Sequence, residues 1–552
     1  MKDKLTFLIG GKAGEGVKKA GSVITELFSA RGWHVFEMDD YQSLIKGGHN
    51  FAVITVSKEP VYSHYKYADI IVSLDKRSYD LHKENVSSDG VHFVNEDKVE
   101  DFEGIGVSIS SHAKEFKHSG LLPGIASVTL ICAALGMELD DIKKLIKSQY
   151  SHYYEENASY AEKIFNACSD KGGSVFEITD MKKHYKTATG NQAIALGAVA
   201  GGLDLYYAYP MTPASSILHY LASMSDKLSI RTVHPESEIA VINMAIGSTM
   251  TGAKVMAGTS GGGLALMEEG ISLAGMSESP LLLVLSSRPG PSTGVPTYTS
   301  QGDLSFALNQ GHGEFPMIVS SPGTFAQAFY LSAEMLSLVW KFQTPGILLT
   351  EKHLSESTGT VEFDPEKAER ADFEDFKGEG YSRYTVTDNG VSPLKFPPST
   401  DMIKWNSYEH TADGITTEDP ASIKIMADKR IRKNRAIEDY LKGMDTVERY
   451  GKSGPVIITY GSTYMSVLEA LHHERIDGRI IQVKYLKPFP VWEMEDIEDN
   501  DFIVVEQSAE GQFTNLIYEK TGKRAKETIK RYDGRPFTPE ELGNQLREVF
   551  NG

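Results

Sequence analysis

The residues best suited to chemistry are a threonine hydroxyl between two prolines and an acidic pair that opens a helix. The threonine lies in Tyr209-Pro210-Met211-Thr212-Pro213, and the acids lie further along in His234-Pro235-Glu236-Ser237-Glu238. The prolines fix the backbone of the loop that presents Thr212. A helix dipole favours negative charge at its N-terminus. The two motifs therefore couple a rigid substrate loop to a carboxylate, although both acids could simply belong to an ordinary first helical turn.

A loop rich in proline and glycine supplies a third group. It reads Ser286-Ser287-Arg288-Pro289-Gly290-Pro291-Ser292-Thr293-Gly294-Val295-Pro296-Thr297 and follows the strand predicted over Leu281–Leu285. Ligands of α/β sheets collect beyond the carboxyl ends of the strands. The guanidinium of Arg288 is a planar fork that fits a carboxylate, and the hydroxyls of Thr293 and Thr297 can reach the same ligand. The loop indicates a site for a carboxylate, although many loops carry proline and glycine without such a role.

A serine hydrolase is the alternative for this region. The run Gly258-Thr259-Ser260-Gly261-Gly262 satisfies Gly-x-Ser-x-Gly between a predicted strand and a predicted helix, where a hydrolase carries its nucleophile. Such an enzyme also needs an acid and a histidine, for which Asp303 and either His312 or His353 are available. The residues alone leave this alternative open.

A glycine-rich loop lies near the N-terminus. The run Gly10-Gly11-Lys12-Ala13-Gly14-Glu15-Gly16 follows a predicted strand and opens a helix predicted over Val17–Ser29. Backbone N–H groups at such a junction can hold an anion. The run does not contain the dinucleotide fingerprint Gly-x-Gly-x-x-Gly. It is not a P-loop either, because Val17 stands where a P-loop has lysine. It could equally be a tight turn that needs the backbone freedom of glycine.

Strands alternating with helices predict an α/β fold built on mostly parallel sheets. Breaks in this pattern divide the chain into a first domain over 1–180, a second over 187–351, an extended arm over 352–454 and a third domain over 455–552. The predicted strands are Leu5–Ile9, Val35–Met38, Ala52–Val56, Ile70–Leu74, Val91–Val94, Leu205–Tyr207, Lys254–Ala257, Leu281–Leu285, Met317–Val319, Gly346–Leu349, Val456–Tyr460, Arg479–Val483 and Phe502–Val505.

The arm over 352–454 has little periodicity. It carries charge runs and the pair Pro397-Pro398, and a basic helix is expected around Asp428–Leu441. A structureless linker of this length is uncommon in a compact protein. We therefore expect the arm to lie over the other domains.

Composition excludes several classes of function. Lys and Arg number 56 against 75 Asp and Glu, so the net charge of −19 disfavours nucleic acid as a partner. The chain has two cysteines, Cys132 and Cys168, without a Cys-x-x-Cys, so it cannot hold an iron–sulfur cluster by itself. No apolar run approaches the ~20 residues of a membrane span. We expect a cytoplasmic protein in which both thiols are buried.

Together these motifs resemble a fused gamma–alpha subunit of the 2-oxoacid:ferredoxin oxidoreductases. The loop at Arg288 is close to the family's Arg-Gly-Gly-Pro-Ser-Thr-Gly-x-Pro-Thr, and it accompanies the Tyr-Pro-Met-Thr-Pro run and Glu238-Ile239-Ala240. The glycine loop with Lys46-Gly47-Gly48-His49-Asn50 resembles the gamma domain of the family. The runs Tyr460-Gly461-Ser462-Thr463 and Leu486-Lys487-Pro488-Phe489-Pro490 resemble its transketolase C-terminal-like domain. The resemblance implies three α/β domains: gamma, thiamine-pyrimidine-binding and transketolase C-terminal-like.

The resemblance implies thiamine diphosphate, shared with a partner subunit, as the cofactor. Its 4′-amino group removes the C2 proton only in an imino form, which a partly desolvated carboxyl at N1′ promotes. The family pattern places this carboxyl directly before Ile-Ala, which selects Glu238 over Glu236. The glycine-rich turn around Ser260 then lies near the aminopyrimidine. The implied cofactor contacts are Tyr209, Pro210, Met211, Glu238, Thr259, Ser260 and Gly261.

The resemblance also implies how the substrate is held. In the family an arginine clamps the carboxylate of the 2-oxoacid, and two threonine hydroxyls assist it. These substrate-binding roles map onto Arg288, Thr212 and Thr297. With Glu238, the residues Thr212 and Arg288 form the implied catalytic set. After Pro-Thr the family often has a basic residue and Thr-Glu-Gln, whereas this chain has Tyr298-Thr299-Ser300-Gln301, so no contact is carried over to positions 298 and 300.

Coenzyme A is implied as the co-substrate. The gamma domain of the family helps to hold it, with glutamine usual near the position of Glu15 and arginine usual near that of Lys46. The implied contacts here are Gly11, Gly14, Gly16 and Lys46.

A missing motif implies a multi-subunit assembly. Thiamine enzymes hold the diphosphate through Mg²⁺ on Gly-Asp-Gly, and this sequence contains only Gly302-Asp303-Leu304. The resemblance therefore implies a beta subunit that carries the Mg²⁺ site and a [4Fe-4S] cluster, in an alpha–beta heterodimer or its dimer. The implied reaction is CoA-dependent oxidative decarboxylation of a 2-oxoacid to acyl-CoA and CO₂, with electrons passed to ferredoxin. No metal site is expected in this chain itself.

Overall fold

The computed structural model describes residues 2–42, 48–169, 171 and 176–551. Three sheets of eight, seven and five strands form its framework, and most neighbouring strands run parallel. The predicted α/β class is therefore confirmed. Each predicted strand overlaps an observed strand.

The strands are, in chain order, β1 Lys4–Lys12, β2 His34–Asp40, β3 His49–Ser57, β4 Ala68–Ser73, β5 Val86–Asn95, β6 Ile105–Val107, β7 Lys186–Thr189, β8 Leu205–Tyr207, β9 Arg231–Val233, β10 Val255–Thr259, β11 Leu281–Ser287, β12 Ile318–Ser320, β13 Pro345–Glu351, β14 Thr358–Val361, β15 Val447–Tyr450, β16 Val456–Thr459, β17 Arg479–Val483, β18 Tyr485–Lys487, β19 Phe502–Glu506 and β20 Glu527–Lys530. The helices are α1 Val17–Ala30, α2 Lys76–His82, α3 Ile109–Ala113, α4 Leu122–Ala134, α5 Leu139–Gln149, α6 Tyr154–Ser169, α7 Gly190–Ala200, α8 Ser215–Ser223, α9 Ser225–Leu228, α10 Glu238–Thr249, α11 Gly261–Met276, α12 Leu304–Leu308, α13 Phe325–Phe342, α14 Lys352–Glu356, α15 Pro420–Leu441, α16 Thr463–Glu474, α17 Gln512–Thr521 and α18 Pro539–Asn551.

The N-terminal sheet has the order β6-β5-β4-β1-β3-β2-β14-β7. It is parallel from β6 to β1, whereas β3 runs antiparallel to both β1 and β2. Strands β14 and β7, which follow residue 180, complete it beside β2. One face buries Phe7 and Ile54 under α1 and α4, and the other buries Leu8 and Val53 in a core shared with α7 and α13. The N-terminal and central domains therefore share a hydrophobic interior.

The central sheet positions the candidate site. Its order is β18-β12-β13-β11-β10-β8-β9, and β18 alone runs antiparallel to its neighbour. Alternate residues of β11 face opposite sides, so Leu282 packs with α7 and α13 while Leu283 packs with α10 and α11. Because β10 and β11 are parallel neighbours, their carboxyl ends at Thr259 and Ser287 lie along the same edge.

The C-terminal sheet has the order β15-β17-β16-β19-β20. Strand β15, from the end of the arm, pairs antiparallel with β17, and the other pairs are parallel. Strand β18 leaves this domain and pairs with β12 of the central sheet. The C-terminal domain is thereby attached to the central domain through backbone hydrogen bonds.

The arm packs on the central domain through aromatic and charged side chains. Phe373 and Phe396 lie against Trp340 of α13. Its long helix α15 begins at Pro420, earlier than the predicted helix, because Asp419 caps it by accepting a hydrogen bond from the N–H of Ser422 (2.8 Å). These aromatic contacts place Phe373 and Phe396 against the central sheet's helix α13.

Helix α15 is anchored by a buried charge cluster. Lys429 Nζ lies 2.6 Å from Glu278 Oε1, Lys433 bonds to the other carboxylate oxygen, and all three side chains are buried. Arg383, stacked between Tyr384 and Trp405, donates to the Glu278 carbonyl (2.8 Å). Burial alone would raise the pKa of the Glu278 carboxyl, but the two lysines and Arg383 hold it well below its usual value.

Replacing Glu278 is expected to destabilise the chain strongly. Glu278→Ala leaves Lys429 and Lys433 buried without a counter-charge, which costs about 3–5 kcal/mol of unfolding free energy in urea titrations. The matched control is Glu438→Ala, which removes a pair with Lys442 on the exposed side of α15 and costs about 0–1 kcal/mol. A loss below about 1 kcal/mol for Glu278→Ala would contradict this role. Since the folded pKa of Glu278 is lowered, its contribution exists above the ordinary carboxyl pKa and disappears as the pH falls below it.

Two further expectations concern the cysteines and membranes. Cys132 and Cys168 are both buried and free, as expected. Burial raises the pKa of Cys132 to about 12, so this thiol stays protonated and unreactive.

Among the described residues, no helix combines the length and the apolar character that crossing a bilayer requires.

Candidate active site

Glu238 is a buried carboxylate at the first residue of α10. Ser237 caps this helix, because its Oγ accepts a hydrogen bond from the N–H of Ala240 (3.3 Å). The Glu238 side chain is only 3% exposed, whereas Glu236 is exposed. Within the described part of the chain, the Glu238 carboxylate accepts no hydrogen bond, and its Oε1 is fully enclosed. An unpartnered buried carboxylate is energetically costly, and such a group is suited to accept a hydrogen bond from a ligand.

Two buried hydroxyls lie where β10 turns into α11, and that of Thr259 is close to the Glu238 carboxylate. Thr259 Oγ1 and Ser260 Oγ are both buried without a hydrogen-bond partner among the described residues. A methyl group placed on Gly263 would lie 2.0 Å from Thr259 Oγ1 and 2.8 Å from Glu238 Oε1. Glycine at 263 therefore lets α11 pass close to Glu238, a constraint that the sequence did not reveal.

The loop that carries Thr212 is held from two sides. Asn191, fully buried at the start of α7, donates through Nδ2 to the carbonyl of Pro213 (2.8 Å) and to Ser216 Oγ (2.7 Å). Arg288 Nη1 donates to the carbonyl of Thr212 (2.8 Å). The structure thus brings the Arg288 guanidinium to the backbone of Thr212, and it adds Asn191 as an anchor of this loop that sequence reasoning missed.

Arg288 faces a cleft of about 520 Å³ at the carboxyl edge of the central sheet. Its bond to Thr212 is the one hydrogen bond that its guanidinium makes within the described residues, so further N–H groups are available to a ligand. Met211 and the first turn of α11 contribute to the same cleft. The lining residues also include Gly261, Gly262, Thr293 and Asp303.

Asp303 is a second charged group in this cleft. Its Oδ2 accepts a hydrogen bond from Ser287 Oγ (2.7 Å), and a Cβ on Gly261 would lie 2.8 Å from both carboxylate oxygens. Burial raises the pKa of Asp303, although the Ser287 bond and the charge of Arg288 oppose that shift. The sequence drew attention to Asp303 only as a hydrolase acid and as part of an imperfect Gly-Asp-Gly. Its position beside Arg288 depends on the fold.

Thr297 lies in a different crevice. Its side chain is buried, and it lines a narrow gap with Asp40, Lys352 and Arg535, where the three domains meet. It is not among the residues that line the Arg288 cleft. A direct contact of Thr297 with substrate therefore stays a prediction.

The N-terminal glycine loop contains an internal carboxylate contact. Glu15 Oε2 accepts a hydrogen bond from the N–H of Lys12 (2.8 Å), and its Oε1 pairs with Lys98 Nζ (2.7 Å). Gly14 and Gly16 have φ of 99° and 82°, a left-handed conformation that favours glycine. The predicted contact Lys46 lies outside the described residues. Glu15 thus occupies one of the N–H groups that an anion would use.

The residues nominated for a serine hydrolase do not assemble. Ser260 Oγ forms no hydrogen bond to a histidine among the described residues. His312 contacts Ser272, and the Nδ1 of His353 contacts Ser462. The structure therefore does not support the hydrolase alternative.

The geometry around Glu238 fits the aminopyrimidine ring of thiamine diphosphate. That ring needs a carboxyl at N1′, a flat glycine-rich surface and polar atoms for its other nitrogens. Glu238, Thr259 and Ser260 offer buried oxygens without partners, and Gly261 and Gly263 keep the first turn of α11 free of side chains. An α/β fold with a site of this kind is expected of a thiamine-dependent enzyme.

Comparison with known proteins identifies the family. Residues 196–429 match the family model "Pyruvate flavodoxin/ferredoxin oxidoreductase, thiamine diP-bdg", and residues 6–167 match "Pyruvate ferredoxin/flavodoxin oxidoreductase". A 2-oxoglutarate synthase subunit KorA from Archaeoglobus fulgidus is 30% identical over 357 residues, which cover 64% of this chain and 96% of that protein. The chain belongs to the 2-oxoacid:ferredoxin oxidoreductase family, and it is an oxidoreductase subunit.

Two relatives match along almost the whole chain. A 2-oxoacid:ferredoxin oxidoreductase subunit alpha from Sulfolobus sp is 29% identical and covers 99% of this chain and 97% of its own length. The solved 2-oxoglutarate:ferredoxin oxidoreductase from Magnetococcus marinus, with 2-oxoglutarate, coenzyme A and succinyl-CoA bound, is 28% identical with a TM-score of 0.90 and covers all of both chains. Since the relatives are named as alpha subunits, the enzyme contains at least one further subunit.

The close approach at Gly263 leads to a stability and activity prediction. Gly263→Ala places a methyl group against Thr259 and Glu238, so we expect a loss of about 1–3 kcal/mol in unfolding free energy. Displacement of the carboxylate is expected to reduce turnover of the assembled enzyme by up to about 100-fold. As a control, Gly247→Ala on α10 meets nothing within 4 Å and should make the isolated chain about 0.5–1 kcal/mol more stable. If the two substitutions change the unfolding free energy equally, the close approach of α11 to Thr259 and Glu238 does not require glycine at position 263.

Proposed function

We propose that this chain supplies the pyrimidine-binding half of the active site in a CoA-dependent 2-oxoacid:ferredoxin oxidoreductase. The observation that carries the proposal is the Glu238 carboxylate, buried and without a partner at the edge of the central sheet. In this role Glu238 holds a proton at N1′ of the aminopyrimidine. When bound, thiamine diphosphate supplies the electron sink for decarboxylation. The selection of Glu238 is supported by its burial beside the exposed Glu236.

We propose Arg288 and Thr212 as the groups that hold the carboxylate of the 2-oxoacid. Arg288 lines the cleft and has N–H groups left over from its bond to the Thr212 carbonyl, and Thr212 directly follows Met211, which also lines the cleft. A guanidinium and a carboxylate form a charge-assisted pair, which fixes the orientation of the reacting carbonyl. Met211 and Gly261 line the same cleft, which supports their proposed contacts with the cofactor. We propose the same role for their neighbours in the sequence, which are Tyr209, Pro210, Thr259 and Ser260.

We propose a beta subunit as the partner that completes this site. Ile239 and Met244 on α10 and Leu266 on α11 are exposed, and these two helices enclose Glu238. Exposed apolar side chains around a buried functional group are typical of a subunit contact. The beta subunit would carry the Mg²⁺ site on Gly-Asp-Gly and the [4Fe-4S] cluster, and ferredoxin would accept the electrons.

We propose coenzyme A as the acyl acceptor, in line with the Magnetococcus marinus enzyme, which has it bound. The glycine loop with Gly11, Gly14 and Gly16 stands at the N-terminus of α1 and is the proposed contact. For an anion to use this loop fully, Glu15 must release the N–H of Lys12.

Reconstitution tests the proposed function. The purified chain alone should show no 2-oxoacid-dependent reduction of a viologen dye. Co-expression with a partner that carries Gly-Asp-Gly and cysteine ligands should give CoA-dependent activity with at least one member of a panel of pyruvate, 2-oxoglutarate, branched and aryl 2-oxoacids. Activity of the isolated chain would refute the shared site. A stable complex that binds thiamine diphosphate but oxidises none of these acids would refute the assigned reaction.

A further inference from the structure

A turn of the C-terminal domain, over 531–535, holds the base of the loop that carries Arg288. Strand β11 leads into this loop at Arg288 and Pro289, and the chain leaves it through Tyr298 and Thr299. The tip of the loop, over 290–295, is exposed. Because the tip is in solvent, the position of Arg288 depends on how the two ends of the base are held.

Gly534 in this turn touches both ends of the base. Its carbonyl accepts a hydrogen bond from the N–H of Thr299 (3.1 Å). A Cβ on Gly534 would lie 3.1 Å from the Cβ of Tyr298 and 3.6 Å from the Cγ of Pro289, so the backbone of the turn packs directly on both residues. Its φ of 82° is a left-handed conformation that favours glycine. The turn therefore lies against the residue that follows Arg288 and against the two residues that close the loop.

Arg535 adds a contact that joins three domains. The Cζ of its guanidinium lies 3.8 Å from the centre of the Tyr298 ring, and its Nη1 lies 3.6 Å from Oδ2 of Asp40 at the end of β2. The N-terminal domain thus supplies Asp40, the central domain supplies Tyr298 and the C-terminal domain supplies Arg535. Asp533 holds the turn itself, because its Oδ1 accepts a hydrogen bond from the N–H of Arg535 (2.9 Å). The cation is fixed between an aromatic face and a carboxylate.

We propose that Arg535 is a positioning residue, whose contacts with Tyr298 and Asp40 fix the base of the substrate loop and thereby the guanidinium of Arg288. This inference rests on the proposed role of Arg288 in holding the carboxylate of the 2-oxoacid. Arg535 lines the narrow gap around Thr297 and not the Arg288 cleft, so it acts through the loop and does not touch the substrate. Its loss lets the loop move and weakens the grip on the carboxylate.

Steady-state kinetics of the assembled enzyme with Arg535→Ala test the proposal. The substrate is the acid that the enzyme oxidises fastest among pyruvate, 2-oxoglutarate, branched and aryl 2-oxoacids. Its KM should rise about 3- to 10-fold, the size of a cation–π contact at a partly exposed site, while KM for coenzyme A stays within about twofold. Arg535→Lys keeps the charge without the planar stack and should give an intermediate KM.

Two comparisons separate positioning from a purely structural role. A structural role would lower the amount of active enzyme, and so the apparent kcat, without changing KM for the 2-oxoacid. The matched control is Arg524→Ala, which removes an arginine over the exposed ring of Tyr518 in the same domain and should leave both KM values unchanged. If Arg535→Ala does not assemble, Tyr298→Leu removes the ring beneath the cation, leaves the turn intact and should raise KM for the 2-oxoacid by the same factor.

A double variant shows whether Arg535 acts through Arg288. In an Arg288→Ala background, Arg535→Ala should raise KM for the 2-oxoacid by less than about twofold further, since the group that it positions is already absent. A full further rise in that background, or an unchanged KM in the single variant Arg535→Ala, would overturn the positioning role alone. An unchanged KM in Arg288→Ala would instead refute the proposed clamp, and this inference with it.

Discussion

Glu238→Gln is expected to lower the turnover of the assembled enzyme by at least about 100-fold, the usual contribution of a positioned acid–base group. The amide has the shape of the carboxyl but cannot exchange a proton with N1′ of the aminopyrimidine. The fold should survive, because the substitution removes a buried carboxylate that has no partner in the chain. Chemical denaturation of the isolated variant should therefore show equal or greater stability.

The control for Glu238→Gln lies two residues away. Glu236→Gln changes the same functional group at an exposed position and should keep turnover within about twofold, as expected of a surface substitution. Both variants should be assayed with saturating thiamine diphosphate. Near-normal turnover of Glu238→Gln, or a loss in Glu236→Gln instead, would reverse the assignment of the two carboxylates.

Arg288→Ala is expected to raise KM for the 2-oxoacid by about 10- to 100-fold, since hydrogen bonds to charged groups contribute about 1.5–3 kcal/mol. The substitution also removes the bond to the Thr212 carbonyl, so some loss of kcat should accompany it. Steady-state kinetics over a wide range of 2-oxoacid concentration separate the two effects.

Two further variants define what the Arg288 result means. Arg370→Ala removes an exposed guanidinium of the arm and should leave KM unaltered. Arg288→Lys retains the charge without the planar fork and should recover only part of the affinity. If KM does not change in Arg288→Ala, another group must hold the substrate carboxylate.

The strands could be predicted from sequence because each is a short apolar run bounded by turns. Their pairing could not be predicted, since apolar periodicity does not encode strand direction. Strand β3 shows this, because it lies antiparallel between β1 and β2 in a region where alternating strands and helices favoured a parallel sheet. Helix α15 begins earlier than predicted, although Asp419 followed by Pro420 is a typical helix start.

The candidate site was predictable where a local motif contained the functional group. Thr212 and Arg288 come from separate motifs and meet in the structure through a hydrogen bond. Asn191, Gly263 and Asp303 were missed as site residues, because each acts on a group that is distant in sequence or across a helix packing contact. Such roles become visible only when the sheet brings the ends of its strands together.

The two strands that close the N-terminal sheet affect how the chain is made. During translation β2 emerges long before β14, whose Thr358 and Gly359 pair with Glu37 and Phe36. Until the ribosome has passed residue 361, the nascent domain has an open edge at β2 that can pair with other chains. Fast elongation or chaperone capture over this interval would protect the unfinished polypeptide, and a stop codon before 358 would leave that edge permanently exposed.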